Sequence, residues 1–155
     1  IQEGFEPKMI NAGRTTNEMM PKHIFLNTQK ALKTNGKKLE QSSGLILGAT
    51  FKENCPDFRN SKVQDIIQLF KSKVKSLVVH DPYYSNKITA FAKDSKLFKS
   101  EEIAFKKKYD FIIIAVPHSS FKKIGHSTLR KTLKKQGVLY DLKSLFLAKY
   151  SDLSL

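Results

Sequence analysis

Four short apolar runs stand out along the chain. They lie at residues 45–50, 76–81, 111–116 and 137–142. Within each run the apolar residues follow one another directly, which is typical of parallel strands buried on both faces of a sheet. The pattern therefore predicts four strands of a parallel sheet.

Residues with helical spacing fill the segments between these strands. The clearest stripe lies between the first two strands and consists of Val63, Ile66, Ile67, Phe70 and Val74. Three more helices are predicted, near residues 86–94, 100–108 and 126–135. Because strand and helix alternate at this spacing, we predict an α/β fold, a Rossmann-like parallel sheet with helices on both faces.

One further helix is predicted ahead of the sheet, over residues 17–32. Met20, Ile24 and Leu32 lie on related faces, and Pro21 is close enough to the start of the helix to be tolerated. A helix outside an α/β unit needs a surface to pack on. We therefore expect another subunit or a further domain to cover it.

The composition is that of a globular protein. The 155 residues suffice for one domain with a core, and 40% hydrophobic against 27% charged residues exclude the disordered and fibrous classes. The 28 Lys+Arg against 14 Asp+Glu give a net charge of +14, which favours nucleic acid, an anionic membrane or a phosphorylated ligand as partner. Because the lysines are spread over predicted polar helix faces, we interpret most of them as solvated surface.

The single cysteine, Cys55, cannot form an internal disulfide, which fits a reducing compartment. No apolar run approaches the roughly 20 residues of a membrane span, and no signal peptide pattern is present. The expected location is therefore the cytoplasm, with no membrane partner. Since the first residue is Ile1 instead of methionine, we also expect the chain to be a fragment of a longer protein.

The loop after the first predicted strand is the strongest candidate for a binding site. A dinucleotide-binding fingerprint would need three glycines here, but only Gly48 is present. We therefore do not expect this loop to bind NAD in the usual way. The loop instead carries Lys52, Asp57 and Arg59, and Ser61 can cap the following helix. Cations beside a helix N-terminus suit a phosphate. A solvated loop with an ordinary cap explains the same residues equally well.

Other candidates are weaker. Cys55 precedes a helix N-terminus and cations, which would lower a thiol pKa, but filling space before a proline is the better interpretation. Asp81 ends the second strand, where such folds often place a ribose-binding acid. Lys143 follows the fourth strand and is expected to point into the same crevice as Lys52. The four histidines lack metal-ligand spacing, so no metal site is expected.

Several stretches resemble a known family. ILGATFKENCPDFRNSKVQDI, VVHDPY, DFIIIAVPHSSF and YDLKSLF are similar to the C-terminal domain of the UDP-glucose/GDP-mannose dehydrogenase family. The FKENCPD form is nearest to bacterial UDP-N-acetylhexosamine 6-dehydrogenases of surface polysaccharide synthesis, which serve O-antigen, capsule and Vi antigen. AGRTTNEMMPKHI resembles the segment that opens the family's central dimerisation helix. The resemblance implies a dimerisation segment at 1–35 and a UDP-sugar-binding domain at 36–155.

The resemblance also implies the site and its partners. The ligand would be a UDP-sugar, the assembly a homodimer through the N-terminal helix, and no nucleic acid would bind. Arg14 would reach into the neighbouring subunit's site. The implied substrate-binding residues are Phe51, Lys52, Asp57, Arg59, Lys143 and Arg14.

Members of the family oxidise the C6 alcohol of the sugar to a carboxylate with two NAD, through a thioester on a cysteine in a GG.C.P.D motif. Neither that motif nor the N-terminal NAD domain occurs in this sequence, and Cys55 matches a loop cysteine of the family instead. We therefore expect no catalytic, cofactor-binding or metal-binding residue in this chain. The alternatives left open are a UDP-glucose 6-dehydrogenase, a basic nucleic-acid-binding α/β module and a noncatalytic dimerisation module.

Overall fold

The computed structural model describes residues 8–86 and 88–155. Five parallel strands form one sheet in the order β2-β1-β3-β4-β5. The strands are β1 (Ser43–Leu47), β2 (Ser76–His80), β3 (Tyr109–Ile114), β4 (Leu133–Asp141) and β5 (Leu153–Ser154). Every residue of the central strand β3 is buried. The continuous apolar runs thus mark strands covered on both faces, and the predicted Rossmann-like fold is confirmed.

Helices cover both faces of the sheet. They are α1 (Lys8–Thr34), α2 (Val63–Lys71), α3 (Glu101–Phe105), α4 (Ser119–Ile124) and α5 (His126–Thr132). Short 3-10 helices cover Leu39–Gln41, Thr89–Leu97 and Ala148–Tyr150. One apolar core contains Ile67 and Phe70 of α2, and a second, on the other face, contains Phe121 of α4 and Leu129 of α5. None of the described helices combines the length and the apolar character that a membrane span requires.

The structure departs from the predicted elements in several places. α1 begins at Lys8 instead of residue 17, and α4 was not predicted. The helix predicted over 86–94 is a 3-10 helix with a kink at Phe91, outside helical geometry. β4 begins at Leu133, because this residue pairs with Tyr109 before a register shift that the sequence pattern does not reveal. β5 was not predicted, since two residues are too few to carry a periodicity.

Helix α1 is half packed and half exposed. Its C-terminal half buries Pro21, Ile24, Thr28 and Leu32, and two of these belong to the same core as α2. Residues 8–19 are all exposed. The second half of α1 therefore belongs to the α/β unit, whereas covering of the first half by another subunit or domain stays a prediction.

A buried carboxylate ties together the amino ends of three strands. Asp110 of β3 accepts hydrogen bonds from Lys37 Nζ (2.7 Å), Lys134 Nζ (2.7 Å) and the Ser43 amide (2.8 Å). Burial raises the pKa of Asp110, but these donors outweigh it and hold the pKa well below the ordinary value. Asp110 therefore fastens the segment after α1 and the start of β4 to the sheet.

Replacing Asp110 by alanine is expected to lower the free energy of unfolding by about 2–3 kcal/mol, because two lysines and the part-buried Ser43 amide lose their acceptor. The loss stays below that of a fully buried ion pair, since the Lys134 side chain is 44% exposed and can turn to water. Urea denaturation measures the change. The matched control is Asp65→Ala, which removes an exposed pair with Lys62 and should cost under about 1 kcal/mol. Equal losses in both variants would contradict the role given to Asp110.

Candidate functional site

The strand order places a crevice at the carboxyl ends of β1 and β3. From β1 the sheet continues to β2 on one side and to β3 on the other, so the loops after β1 and β3 diverge here. A cavity of about 300 Å³ opens at this point, between these loops, α1 and the start of α2. We refer to it as the switch-point cavity. Its position is the one at which open α/β sheets bind ligands.

The switch-point cavity has an apolar side and a polar side. Met20 and Ile24 of α1 form the apolar side with Val116 and Leu142, which follow β3 and β4. The first residues of α2 also line the cavity, and the positive end of a helix dipole favours anions, although the Val63 amide already donates to Ser61 Oγ (3.3 Å) and the Gln64 amide to the Ser61 carbonyl (3.2 Å). The polar side consists of Asn17, Thr50, Ser61, Lys62 and Lys143. The arrangement therefore suits a ligand with one apolar part and one anionic part.

Two of the predicted binding residues line this cavity. Phe51 is 62% exposed and stands at its rim. Lys143 enters from the loop after β4, where buried Asp141 accepts the Lys143 amide (3.3 Å) and the Phe146 amide (3.0 Å). The carboxylate thus fixes the turn that carries the lysine.

Asp57 and Arg59 are engaged with each other. Two guanidinium nitrogens of Arg59 donate to the two carboxylate oxygens of Asp57, at 2.9 and 2.8 Å. The hydrogen bonds from Arg59 lower the pKa of Asp57 to about 2. The Asp57 carbonyl also accepts the Phe51 amide at 2.7 Å, which closes the loop on itself. The pair therefore shapes the loop next to the cavity and does not line it.

Lys52 and Arg14 also lie outside the lining of the cavity. Lys52 is exposed, and its carbonyl accepts the Thr50 hydroxyl at 2.9 Å. Arg14 is exposed on α1, one turn before Asn17 of the cavity. Ligand contacts by these two residues remain predictions.

Asp81, at a position where such folds often place a ribose-binding acid, is buried and bonds to the protein itself. Asp81 Oδ2 accepts the amides of Ala49 (2.6 Å) and Thr50 (3.2 Å), and Oδ1 accepts the Tyr83 amide (2.8 Å). Burial raises the pKa of Asp81, but the hydrogen bonds from His118 and from the backbone outweigh this and hold the pKa below its ordinary value. Asp81 therefore anchors the start of the loop after β1.

The ring of His118 completes this network and was missed from the sequence. His118 is fully buried, and Nδ1 accepts the Asn54 amide at 3.0 Å. Nε2 lies 3.1 Å from Asp81 Oδ2 and 3.1 Å from the Thr50 hydroxyl. Residue spacing gave no signal for this contact, because His118 and Asp81 follow β3 and β2, which flank β1 only in the folded sheet.

The fold and the cavity define a Rossmann-like α/β domain with an anion-accepting crevice at its switch point. Residues 45–148 match the UDP binding domain of the UDP-glucose/GDP-mannose dehydrogenase family. The chain belongs to this family, as its C-terminal UDP binding domain.

Named relatives agree with this assignment. The chain is 36% identical over 152 residues to the UDP-N-acetyl-D-glucosamine 6-dehydrogenase of Salmonella typhi, covering 98% of this chain and 35% of the relative. It is also 36% identical to the Pseudomonas aeruginosa enzyme of that name, with the same two coverages. The solved UDP-D-ManNAc dehydrogenase of Pyrococcus horikoshii shares the fold, with a TM-score of 0.75 at 21% identity over 95% of this chain and 32% of that one. The chain thus spans about a third of the length of its curated relatives.

Proposed function

We propose that this chain binds the UDP part of a UDP-N-acetylhexosamine in the switch-point cavity. The supporting observation is the cavity itself, which combines the start of α2 and Lys143 with an apolar side from α1. Lys143 and, from the loop beside the cavity, Lys52 hold the diphosphate, next to the positive end of the α2 dipole. The apolar side and Phe51 pack against the uridine. Asp57 and Arg59 contribute by holding the loop, and Arg14 reaches the site of a neighbouring subunit.

The whole protein, in this proposal, is a cytoplasmic NAD-dependent 6-dehydrogenase of surface polysaccharide synthesis, including capsule. Residues 1–35 serve its dimerisation and residues 36–155 bind the UDP-sugar. NAD does not fit the loop after β1, because Asp81 already takes the Ala49 and Thr50 amides that would be needed for a pyrophosphate. NAD therefore belongs to a part of the protein outside this chain, and this chain alone is inactive.

Calorimetric titration with UDP and with a short DNA duplex, at low and moderate salt, tests the binding. Lys143→Ala is expected to weaken UDP binding about tenfold, because it removes one charge-assisted hydrogen bond. Lys52→Ala should weaken it less, since Lys52 lies outside the cavity lining. The matched control is Lys135→Ala, which removes the same charge from an exposed position of β4, away from the cavity.

Two results would contradict the proposal. One is duplex binding at moderate salt without UDP binding, which would favour the nucleic-acid-binding module. The other is failure of UDP to bind both this chain and the full-length protein. An equal effect of Lys135→Ala and Lys143→Ala would show that only overall charge matters.

A further inference from the structure

The loop after β1 is fastened across the switch point by residues that are not themselves part of the cavity lining. We define the β1–α2 loop as residues 48–62. Asn54 of this loop donates its amide to His118 Nδ1, and its side chain exchanges two hydrogen bonds with Ser119, at 2.9 and 3.0 Å. His118 and Ser119 follow β3. The middle of the loop is therefore held to the neighbouring strand end and not only to its own.

These contacts fix the protonation of the His118 ring. A backbone amide is always a donor, so Nδ1 must be the unprotonated nitrogen of His118. Nε2 then carries the hydrogen and faces Asp81 Oδ2 and Thr50 Oγ1, both at 3.1 Å. The Thr50 hydroxyl donates its own hydrogen to the Lys52 carbonyl, so it accepts from Nε2. The hydrogen bonds of the Asn54 amide, Asp81 and Thr50 to the ring can therefore all form only when the ring is neutral and carries its hydrogen on Nε2.

We propose that His118 is a positioning residue for the β1–α2 loop, and that its neutral ring, by holding Thr50 and Asn54, sets the presentation of Phe51 and Lys52. The ring contacts Thr50 and Asn54, which lie on either side of Phe51 and Lys52 in the sequence. Protonation at Nδ1 would place two donors 3.0 Å apart, at the Asn54 amide, and break that contact. The contact that holds Asn54 of the loop therefore requires an unprotonated Nδ1 on the buried His118 ring.

The groups around the His118 ring offer no alternative to an unprotonated Nδ1 for holding the Asn54 amide. Within the described residues, the titratable side chains that face His118 are Asp81 at 3.1 Å and Tyr83, whose ring centroid lies 5.3 Å away. Phe121 of α4 packs on the ring at 5.4 Å. Asp81 favours a charged ring through Nε2, but it cannot supply an acceptor at Nδ1. The Asn54 contact is lost in the charged form in either case.

Two substitutions separate the two ring nitrogens. His118→Asn places an amide oxygen near the Nδ1 position and has no proton to gain, so it should hold Asn54 at every pH. His118→Gln reaches Asp81 in the manner of Nε2 but leaves the Asn54 amide without its acceptor. His23→Asn is the control, because His23 is exposed on α1 and its ring contacts Asn27 of the same helix instead of the loop.

The first readout is amide hydrogen exchange and ¹⁵N chemical shifts of the loop at pH 7.5, without ligand, in wild type and in both variants. We expect roughly five- to tenfold faster exchange of the Asn54 amide, after correction for the intrinsic rate, in His118→Gln than in wild type. In His118→Asn this amide should stay as protected as in wild type. An Asn54 amide that exchanges in His118→Gln as it does in wild type would overturn the proposal. If His118→Gln does not fold, loss of Asn54 protection in His118→Asn would overturn it instead.

The second readout rests on the proposed function and measures the affinity for UDP-N-acetylglucosamine at pH 7.5. This affinity should fall up to about tenfold in His118→Gln and stay unchanged in His118→Asn. Equal affinity in His118→Gln and in wild type would overturn the inference. If the nucleotide sugar does not bind while the Asn54 amide still loses protection in His118→Gln, the proposed function fails and the positioning role stands.

Discussion

Replacing Gly48 by alanine is expected to lower the free energy of unfolding by about 2–5 kcal/mol. Gly48 directly follows β1 and has φ +85, a conformation that costs an L-residue energy. A Cβ there would also lie 2.6 Å from Val116 Cβ and 2.8 Å from the Val116 carbonyl oxygen, both on the neighbouring loop. Glycine at this position thus lets the ends of β1 and β3 approach each other. Urea denaturation of the variant measures the loss.

Gly125→Ala separates the two causes. Gly125 has φ +81, but an added Cβ would meet nothing within 4 Å. Gly125→Ala should therefore lower the free energy of unfolding only by the cost of the left-handed backbone conformation, about 1–2 kcal/mol. If both alanine variants lost the same amount, the close approach at Val116 would play no part.

Replacing Asp81 by alanine is expected to lower the free energy of unfolding by about 3–5 kcal/mol. The variant leaves three backbone amides and the His118 ring without their buried acceptor. This is a large share of the stability of a small domain. Asp81→Asn keeps the shape and one acceptor oxygen, so we expect a smaller loss, about 1–3 kcal/mol. Thermal and urea denaturation at pH 7 compare the two variants.

The contribution of Asp81 should also depend on pH. Because folding lowers the pKa of Asp81 below its ordinary value of 3.8, the unfolded chain binds the proton more tightly than the folded chain. The stabilisation is therefore complete above that ordinary value and is lost as the pH falls below about 4. The difference in stability between wild type and Asp81→Asn should shrink on acidification. A difference that is constant from pH 7 to pH 3 would contradict the lowered pKa. Asp65→Asn, at an exposed position, is the control.

Much of the fold could be predicted because the strands are buried on both faces. The run FIIIAV includes most of β3, and the stripe from Val63 to Phe70 coincides with α2. Predictions failed where the signal was short or irregular, as in the two residues of β5 and the kink at Phe91. A periodicity needs several residues of one geometry, and these segments do not provide them.

The candidate site was predictable only in its location. Loops at the carboxyl ends of parallel strands meet in one crevice, which is why Phe51 and Lys143 both line the cavity. Side-chain pairing within a loop cannot be deduced from such a rule. The donation from Arg59 to Asp57 is an example that only the structure reveals, while a ligand contact by Arg59 stays a prediction.

The sequence by itself determined the fold class and the family, because burial periodicity and the FKENCPD loop are local properties of the chain. The tertiary structure alone decided which strand ends are neighbours. Asn54 and Asp81 meet His118 across 64 and 37 positions of sequence, and only the order β2-β1-β3 brings them together. The physical reason is that strand order and loop contacts follow from packing between distant segments, on which local residue spacing carries no information.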